Sequence, residues 1–264
     1  MKNSNSKNKP IEKKTNRRIP SARVAILGNP NSGKTALFNR LTGMHQKTGN
    51  FPGVTVEKKT GYLKNQPILL EDYPGSYSLQ AETQDEQIVS DFVQSWRHQH
   101  NRPDAVVIVV DATHLDRNIF FALQILDWGL PAVVVLNMYD EVKRKKRVID
   151  SDLLAKLLVA EAVIPASAKS GEGIDEIIRT VSSLALEKRP AAGRQPLIKA
   201  DAQLTLVGEM TDFLARFYQD RNILPLIDSL RILADDRYAK HVMPFLDKKQ
   251  VADLNDLTKR TRDR

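Results

Sequence analysis

The sequence predicts an α/β fold: a mostly parallel sheet covered by helices on both faces, followed by a small helical domain. Three observations carry this. Wholly apolar, strand-sized runs recur at residues 24–27, 105–110 and 132–136. Apolar residues at helical spacing fall between them. A glycine-rich G-x-x-x-x-G-K-T sequence at 28–35 joins the first run to the first helical stretch. Strands apolar throughout belong in a sheet buried on both sides, because a half-exposed strand would alternate.

The elements follow in order. Residues 24–27 read as a buried strand, and Leu37, Phe38 and Leu41 as the inner face of a helix ended by Gly43. Residues 44–53 are polar and glycine-containing, with Pro52, and read as a mobile loop. The stretches 54–63 and 67–71 flank a Lys64-Asn65 turn and read as a hairpin. Residues 82–98 carry Ile88, Phe92, Val93 and Trp96 at helical spacing. Strands at 104–110, 131–136 and 163–165 then alternate with helices at 116–128, 151–160 and 173–187. A Pro/Gly-containing linker follows at 189–199. Beyond it, Val207, Met210 and Leu214, and later Val251, Leu254 and Leu257, keep helical spacing. The expected division is a tail at 1–22, the α/β domain at 23–188, the linker, and a helical domain at 200–264.

Composition narrows the classes. With no cysteine, disulfide frameworks and thiolate metal sites are excluded. No apolar run reaches the roughly 18–20 residues of a membrane span, and no signal peptide is read at the N-terminus. The net charge of +8 is localised: residues 1–23 contribute +7 and residues 24–264 only +1. The N-terminal tail therefore reads as a disordered, solvated extension able to meet an anionic membrane surface. Nucleic acid is not expected as a partner.

The chemistry sits at the strand ends. Gly28, Asn29, Pro30, Asn31, Ser32, Gly33, Lys34, Thr35 and Ala36 form a phosphate cradle. Its glycines let successive N–H groups curl round a phosphate, and the following helix adds its positive end. Lys34 would reach the outer phosphates and Thr35 would ligate Mg²⁺. Asp72-x-x-Gly75 closes a predicted strand, offering a carboxylate to the Mg²⁺ shell and the Gly75 N–H to a γ-phosphate. Asn137-Met138-Tyr139-Asp140 follows another strand. Asp140 can accept from guanine N1–H and the 2-amino group, donors that adenine lacks. The backbone of Ser167-Ala168-Lys169 can read guanine O6. Their order, each at a strand end, points to GTP and GDP as ligands.

These motifs also carry a family resemblance. The stretches 28–39, 51–59, 72–79, 110–113, 115–118 and 136–141 resemble the N-terminal region of the ferrous-iron-transport protein B (FeoB) family, over roughly residues 22–187. The resemblance implies a Ras-like P-loop GTPase domain. It implies that Gly53, Val54 and Thr55 lie in the switch loop, with Thr55 closing on Mg²⁺ and the γ-phosphate. It implies that Asn31, with the carbonyls of Gly49 and Phe51, holds a K⁺ ion. Such an ion neutralises developing charge where other GTPases use an arginine finger. Asn31, Lys34, Thr55 and Gly75 would be the catalytic group.

The glutamine that many GTPases place after D-x-x-G is here Ser76, so slow, K⁺-stimulated hydrolysis is expected. Tyr73 stands where the family usually has leucine, and altered packing near Gly75 is expected there. The family's role, regulating ferrous iron uptake, implies a membrane iron-transport component in cis or in trans. It also implies a place at the cytoplasmic face of the inner membrane.

Two rivals remain at this point. A ribosome- or RNA-associated GTPase would use the tail and the basic run at 143–147. A nucleotide-gated interaction module with negligible hydrolysis would explain Ser76 and Tyr77. His98 and His100 read as a solvated helix end, two residues apart and facing different ways, rather than as iron ligands.

Overall fold

A computed structural model of the chain describes residues 19–44, 46–50, 57–81, 83–187, 205–218 and 225–262. β1 (Ala22–Gly28) lies between β4 (Ile68–Asp72) and β5 (Ala105–Asp111), parallel to both. β6 (Ala132–Asn137) and β7 (Ala162–Pro165) extend the parallel part beyond β5. On the other side, β3 (Glu57–Tyr62) runs antiparallel to β4, and β2 (Gln46–Asn50) antiparallel to β3. The sheet order is β2-β3-β4-β1-β5-β6-β7. The expected hairpin is β3–β4, and the apolar runs are β1, β5 and β6.

Strand alternation divides the core in two. Val24 and Ile26 of β1 pack on one face with Val107, Val109, Val133 and Val135. There α1 (Lys34–Thr42) inserts Leu37, Phe38 and Leu41, and α6 (Ile174–Leu186) inserts Ile177, Val181 and Leu184. Ala25 and Leu27 face the other way, towards α2 (Gln84–Ser95) and α3 (Leu115–Leu126). Each aliphatic side chain fully buried this way contributes about 1.5–3 kcal/mol. The two small helices α4 (Tyr139–Arg144) and α5 (Ser151–Leu158) flank the far end of the sheet.

The C-terminal part is helical: α7 (Thr205–Tyr218), α8 (Pro225–Ala234), α9 (Ala239–Val242) and α10 (Lys248–Arg262). Met210, Leu214, Ile232, Val242, Leu254 and Leu257 join the same buried cluster as α2 and α3. A buried ion pair fastens the two parts. Arg97, just past α2, donates through Nη1 and Nη2 to Asp228 of α8 at 3.0 and 2.9 Å. The Tyr238 hydroxyl donates to the same carboxylate at 2.6 Å. Burial alone would raise the Asp228 pKa. The Arg97 charge and hydrogen bonds, with help from Arg231 and Tyr238, outweigh it and hold the carboxyl below its usual range. Beside this pair, Trp96 and Trp128 meet edge to face with ring centres 5.9 Å apart, and the Arg97 guanidinium lies 5.3 Å from the Trp128 ring.

The stretch expected as one mobile loop, 44–53, instead contains strand β2. Among the described residues this edge strand pairs only with β3, from Gln46 opposite Gly61 to Asn50 opposite Glu57. Its polar composition reflects an edge with no core face to fill. The helix expected at 151–160 is capped one residue earlier than its first serine: the Asp150 carboxylate accepts from Leu153 N–H at 2.9 Å. Among the described residues no helix is long and apolar enough to cross a membrane. The basic tail at 1–18 and the linker at 189–199 lie outside the described residues.

Candidate functional site

The phosphate loop leaves the C-terminal end of β1. Gly28 is hemmed in by Val109 of β5, so a side chain there would strike the Val109 carbonyl. Asn31 takes φ 63° and Gly33 φ 78°, left-handed values that asparagine and glycine accept most readily. Ser32 N–H donates to Asn29 O at 3.2 Å and closes the turn. Gly33 then caps α1, whose first residue is Lys34. The buried Lys34 ammonium pairs with the Asp72 carboxylate at the end of β4. Burial lowers the Lys34 pKa and raises that of Asp72, while their mutual attraction opposes both shifts. Thr35 and Ala36 are exposed at the helix mouth.

The D-x-x-G segment touches this loop directly. A Cβ on Gly75 would sit 2.8 Å from Pro30 N, so only glycine permits the approach. Tyr73 N–H donates to Ile26 O and Ser76 N–H to Gly28 O, both at 3.2 Å. Tyr73 is buried, stacked on Phe92 at 3.6 Å, with its hydroxyl 3.3 Å from Glu71 Oε2. Glu71 also receives Lys58 at 2.6 Å and Arg23 at 2.9 Å. Ser76 is fully buried and donates to Ser78 O at 2.6 Å, while Tyr77 lies under the Arg117 guanidinium.

The base side is built on Asn137. Its Nδ2 donates to Ser32 O at 2.8 Å and its Oδ1 accepts from Ala168 N–H at 3.0 Å. One amide thus ties the phosphate loop to the Ser167-Ala168-Lys169 loop. Met138 follows at φ 61°, a left-handed value that costs a non-glycine residue about 1–2 kcal/mol. Strain of this kind concentrates at functional turns. It opens α4, and Asp140 sits half-buried in its first turn. Ser167 N–H donates to Glu172 O and Ala168 N–H to Asn137 Oδ1, both at 3.0 Å, so these two backbone donors are engaged within the protein.

A residue that sequence reasoning missed holds this loop. Arg40 of α1 donates from Nε to Ala168 O at 2.8 Å and from Nη2 to Lys169 O at 2.7 Å. Its place in the last turn of a helix gave no signal, because the contact spans 128 residues.

Other expected residues lie apart or outside. Gly49 is the β2 residue opposite Lys58. β2 is the edge strand, three strands from β1 in the sheet order. Phe51, Gly53, Val54 and Thr55 lie outside the described residues. His98 and His100 do not diverge as expected of a helix: α2 has ended, and a 3₁₀ turn brings their rings to 5.7 Å. Among the described residues, no cluster of three His, Asp or Glu side chains is placed to hold a metal ion.

Four motifs therefore converge at the carboxyl edge of a parallel sheet, where ligands of open α/β folds bind. Strand order, phosphate loop and base-side turn define a Ras-like P-loop GTPase domain, followed by a helical region. Residues 22–181 match the ferrous iron transport protein B family, and the chain belongs to that family as its N-terminal GTPase region.

The chain is 45% identical over 156 residues to the Fe(2+) transporter FeoB of Leptospira biflexa, covering 58% of this chain and 22% of that protein. It is 38% identical over 176 residues to an Fe(2+) transport protein A/Fe(2+) transporter FeoB fusion protein of Porphyromonas gingivalis, covering 66% and 20%. The chain thus spans about a fifth of the length of these curated relatives. Among solved structures it resembles S. thermophilus NFeoB bound to GDP·AlF4⁻ and K⁺, with TM-score 0.73 and 29% identity, covering 92% of this chain and 90% of that one. It also resembles a GDP-bound mutant of S. thermophilus NFeoB, with TM-score 0.75, 28% identity and the same coverage.

Proposed function

We propose that this chain is a guanine-nucleotide switch that hydrolyses GTP slowly, with K⁺ stimulation, and regulates ferrous iron uptake through a membrane component. The observation that supports the reading is the Asn137 bridge, which ties the phosphate loop to the Ser167-Ala168-Lys169 loop from the same turn that carries Asp140. That combination suits a ligand with both a polyphosphate and a guanine. The buried Asn29 amide and Ser32 hydroxyl have no hydrogen-bond partner among the described residues, and a bound polyanion with its ordered water fits them.

In this reading Lys34 and Asp72 exchange one another for the ligand: Lys34 turns to the outer phosphates and Asp72 to the water shell of Mg²⁺. Thr35 and Thr55 would complete the Mg²⁺ ligands, and Asn31 would help hold the K⁺ ion. When bound, the cations supply charge neutralisation on the phosphates. Gly75 N–H meets the γ-phosphate. Ser76 and Tyr77 are engaged elsewhere, in Ser78 O and beneath Arg117, which supports slow intrinsic turnover. The position at the cytoplasmic face of the inner membrane, and the membrane partner, follow from the family alone.

The test is steady-state GTP turnover in KCl and in NaCl, for the chain and for Asn31→Ala. Faster turnover in KCl that is lost in Asn31→Ala supports the reading. Equal rates in the two salts would sink the K⁺ role, and no turnover above background would favour a nucleotide-gated interaction module. Asp140→Asn should move preference from guanine towards xanthine nucleotides; unchanged preference counts against Asp140 as the base reader.

A further inference from the structure

α5 is apolar on two sides. Leu154 packs against the core and Leu158 is buried in it. Leu153 and Leu157, one turn apart on another face, are 51% and 60% exposed, and Val148 just before the helix is 90% exposed. Exposed apolar side chains grouped on one helix face, with Val148 ahead of them, form a candidate interaction patch. Immediately before them comes the basic run. Lys145, Lys146 and Arg147 are exposed and form no ion pair among the described residues, while Lys143 and Arg144 pair with Glu172 and Glu141. The run is a fixed turn. Lys145 N–H donates to Glu141 O, Lys146 N–H to Lys143 O and Arg147 N–H to Val142 O, at 3.0, 2.9 and 3.1 Å. Of the nearby acids, Asp150 caps α5 and Asp152 stands four residues from the exposed Lys156.

We infer that residues 145–157 form a docking surface for an anionic lipid leaflet, separate from the basic tail and from the nucleotide site. A leaflet of this kind takes both halves of the patch: cations at the headgroups, and Val148, Leu153 and Leu157 at the acyl boundary. RNA would use the cations and leave the apolar side chains in water. A second copy of the chain placed face to face would set the cations against one another.

The chain has no cysteine, so Val148→Cys carries a single environment-sensitive fluorophore. The labelled full chain is mixed with vesicles of phosphatidylcholine, with and without phosphatidylglycerol. The expected result is a blue shift with the anionic vesicles only. Lys145→Glu/Lys146→Glu/Arg147→Glu and Leu153→Ser/Leu157→Ser should each lower vesicle partition by roughly tenfold or more. Retained binding of a fluorescent GDP certifies that each variant is folded, and the fluorophore in the otherwise unchanged chain decides if one is not. An unshifted probe overturns the inference, whether vesicles are ignored or held by the tail alone. So does competition by a single-stranded RNA with no effect of the leucine substitutions.

Discussion

The Asn137 side-chain amide donates to the Ser32 carbonyl at 2.8 Å, across 105 residues of sequence. The phosphate half and the base half of the site are therefore not independent. Asn137→Ala leaves two buried groups, Ser32 O and Ala168 N–H, without their partner, at about 1–3 kcal/mol each. Thermal denaturation should show a loss of that size, and GDP affinity measured by calorimetry should fall with it. Asn137→Asp retains an acceptor for Ala168 but turns a carboxylate towards the Ser32 carbonyl. It should be no better than alanine; wild-type stability in Asn137→Asp would show that the bridge is not needed.

Arg40 acts on the base loop from behind. Both of its contacts are to backbone carbonyls, one part-buried and one exposed, so the coupling is worth about 1 kcal/mol rather than the full value of a buried charged bond. Arg40→Ala should speed GDP release about fivefold in stopped-flow displacement. The single-turnover hydrolysis rate should stay unchanged. Arg40→Lys should resemble alanine, since one ammonium cannot span the Ala168 and Lys169 carbonyls as the planar fork does.

The Arg97–Asp228 pair makes an acid-sensitive fastening. Asp228 has a folded pKa below its unfolded value, so its contribution is present above the unfolded pKa of about 3.9 and is lost as pH falls through the lower, folded value. Glu71, held down by Lys58 and Arg23 against the effect of burial, has the same sign. Urea denaturation against pH should therefore fall off below about pH 4. Asp228→Asn, which removes the carboxylate charge facing the buried Arg97 guanidinium, should cost about 3 kcal/mol at neutral pH and flatten part of that acid limb. A variant with the wild-type slope below pH 4 would remove Asp228 from the account.

Val159 ends α5 at φ 50°, a left-handed position that a β-branched residue occupies at a cost of about 1–2 kcal/mol. Its N–H still caps Ala155 O and Lys156 O. Val159→Gly should therefore stabilise the domain by about 1 kcal/mol, raising Tm by about 2–4 °C for a chain of this size. A drop in Tm would mean that the side chain contributes packing that outweighs the backbone strain.

Much of the sheet was legible because its strands are buried on both sides: residues 24–27, 105–110 and 132–136 could hardly be anything else. The motif residues were legible because phosphate and guanine chemistry restricts residue types at short, fixed spacings. β2 was not, since an edge strand such as Gln46–Asn50 has no core face to record in its composition. Arg40, Arg97 and Asp228 were invisible for another reason. Their partners lie more than 100 residues away, and an arginine at a helix end reads the same whether it meets water or a carbonyl. His98 and His100 are exposed just past the helix end, as expected, but their facing was misjudged because helical spacing was extended past Ser95, where the helix had already stopped.

The chain has only two tryptophans, and they are the perpendicular pair Trp96 and Trp128 beside Arg97. Its intrinsic emission is thus not an average over the molecule but a local readout of the joint between the sheet domain and the helices. Loosening of that joint, with the sheet still intact, would be recorded optically without any label.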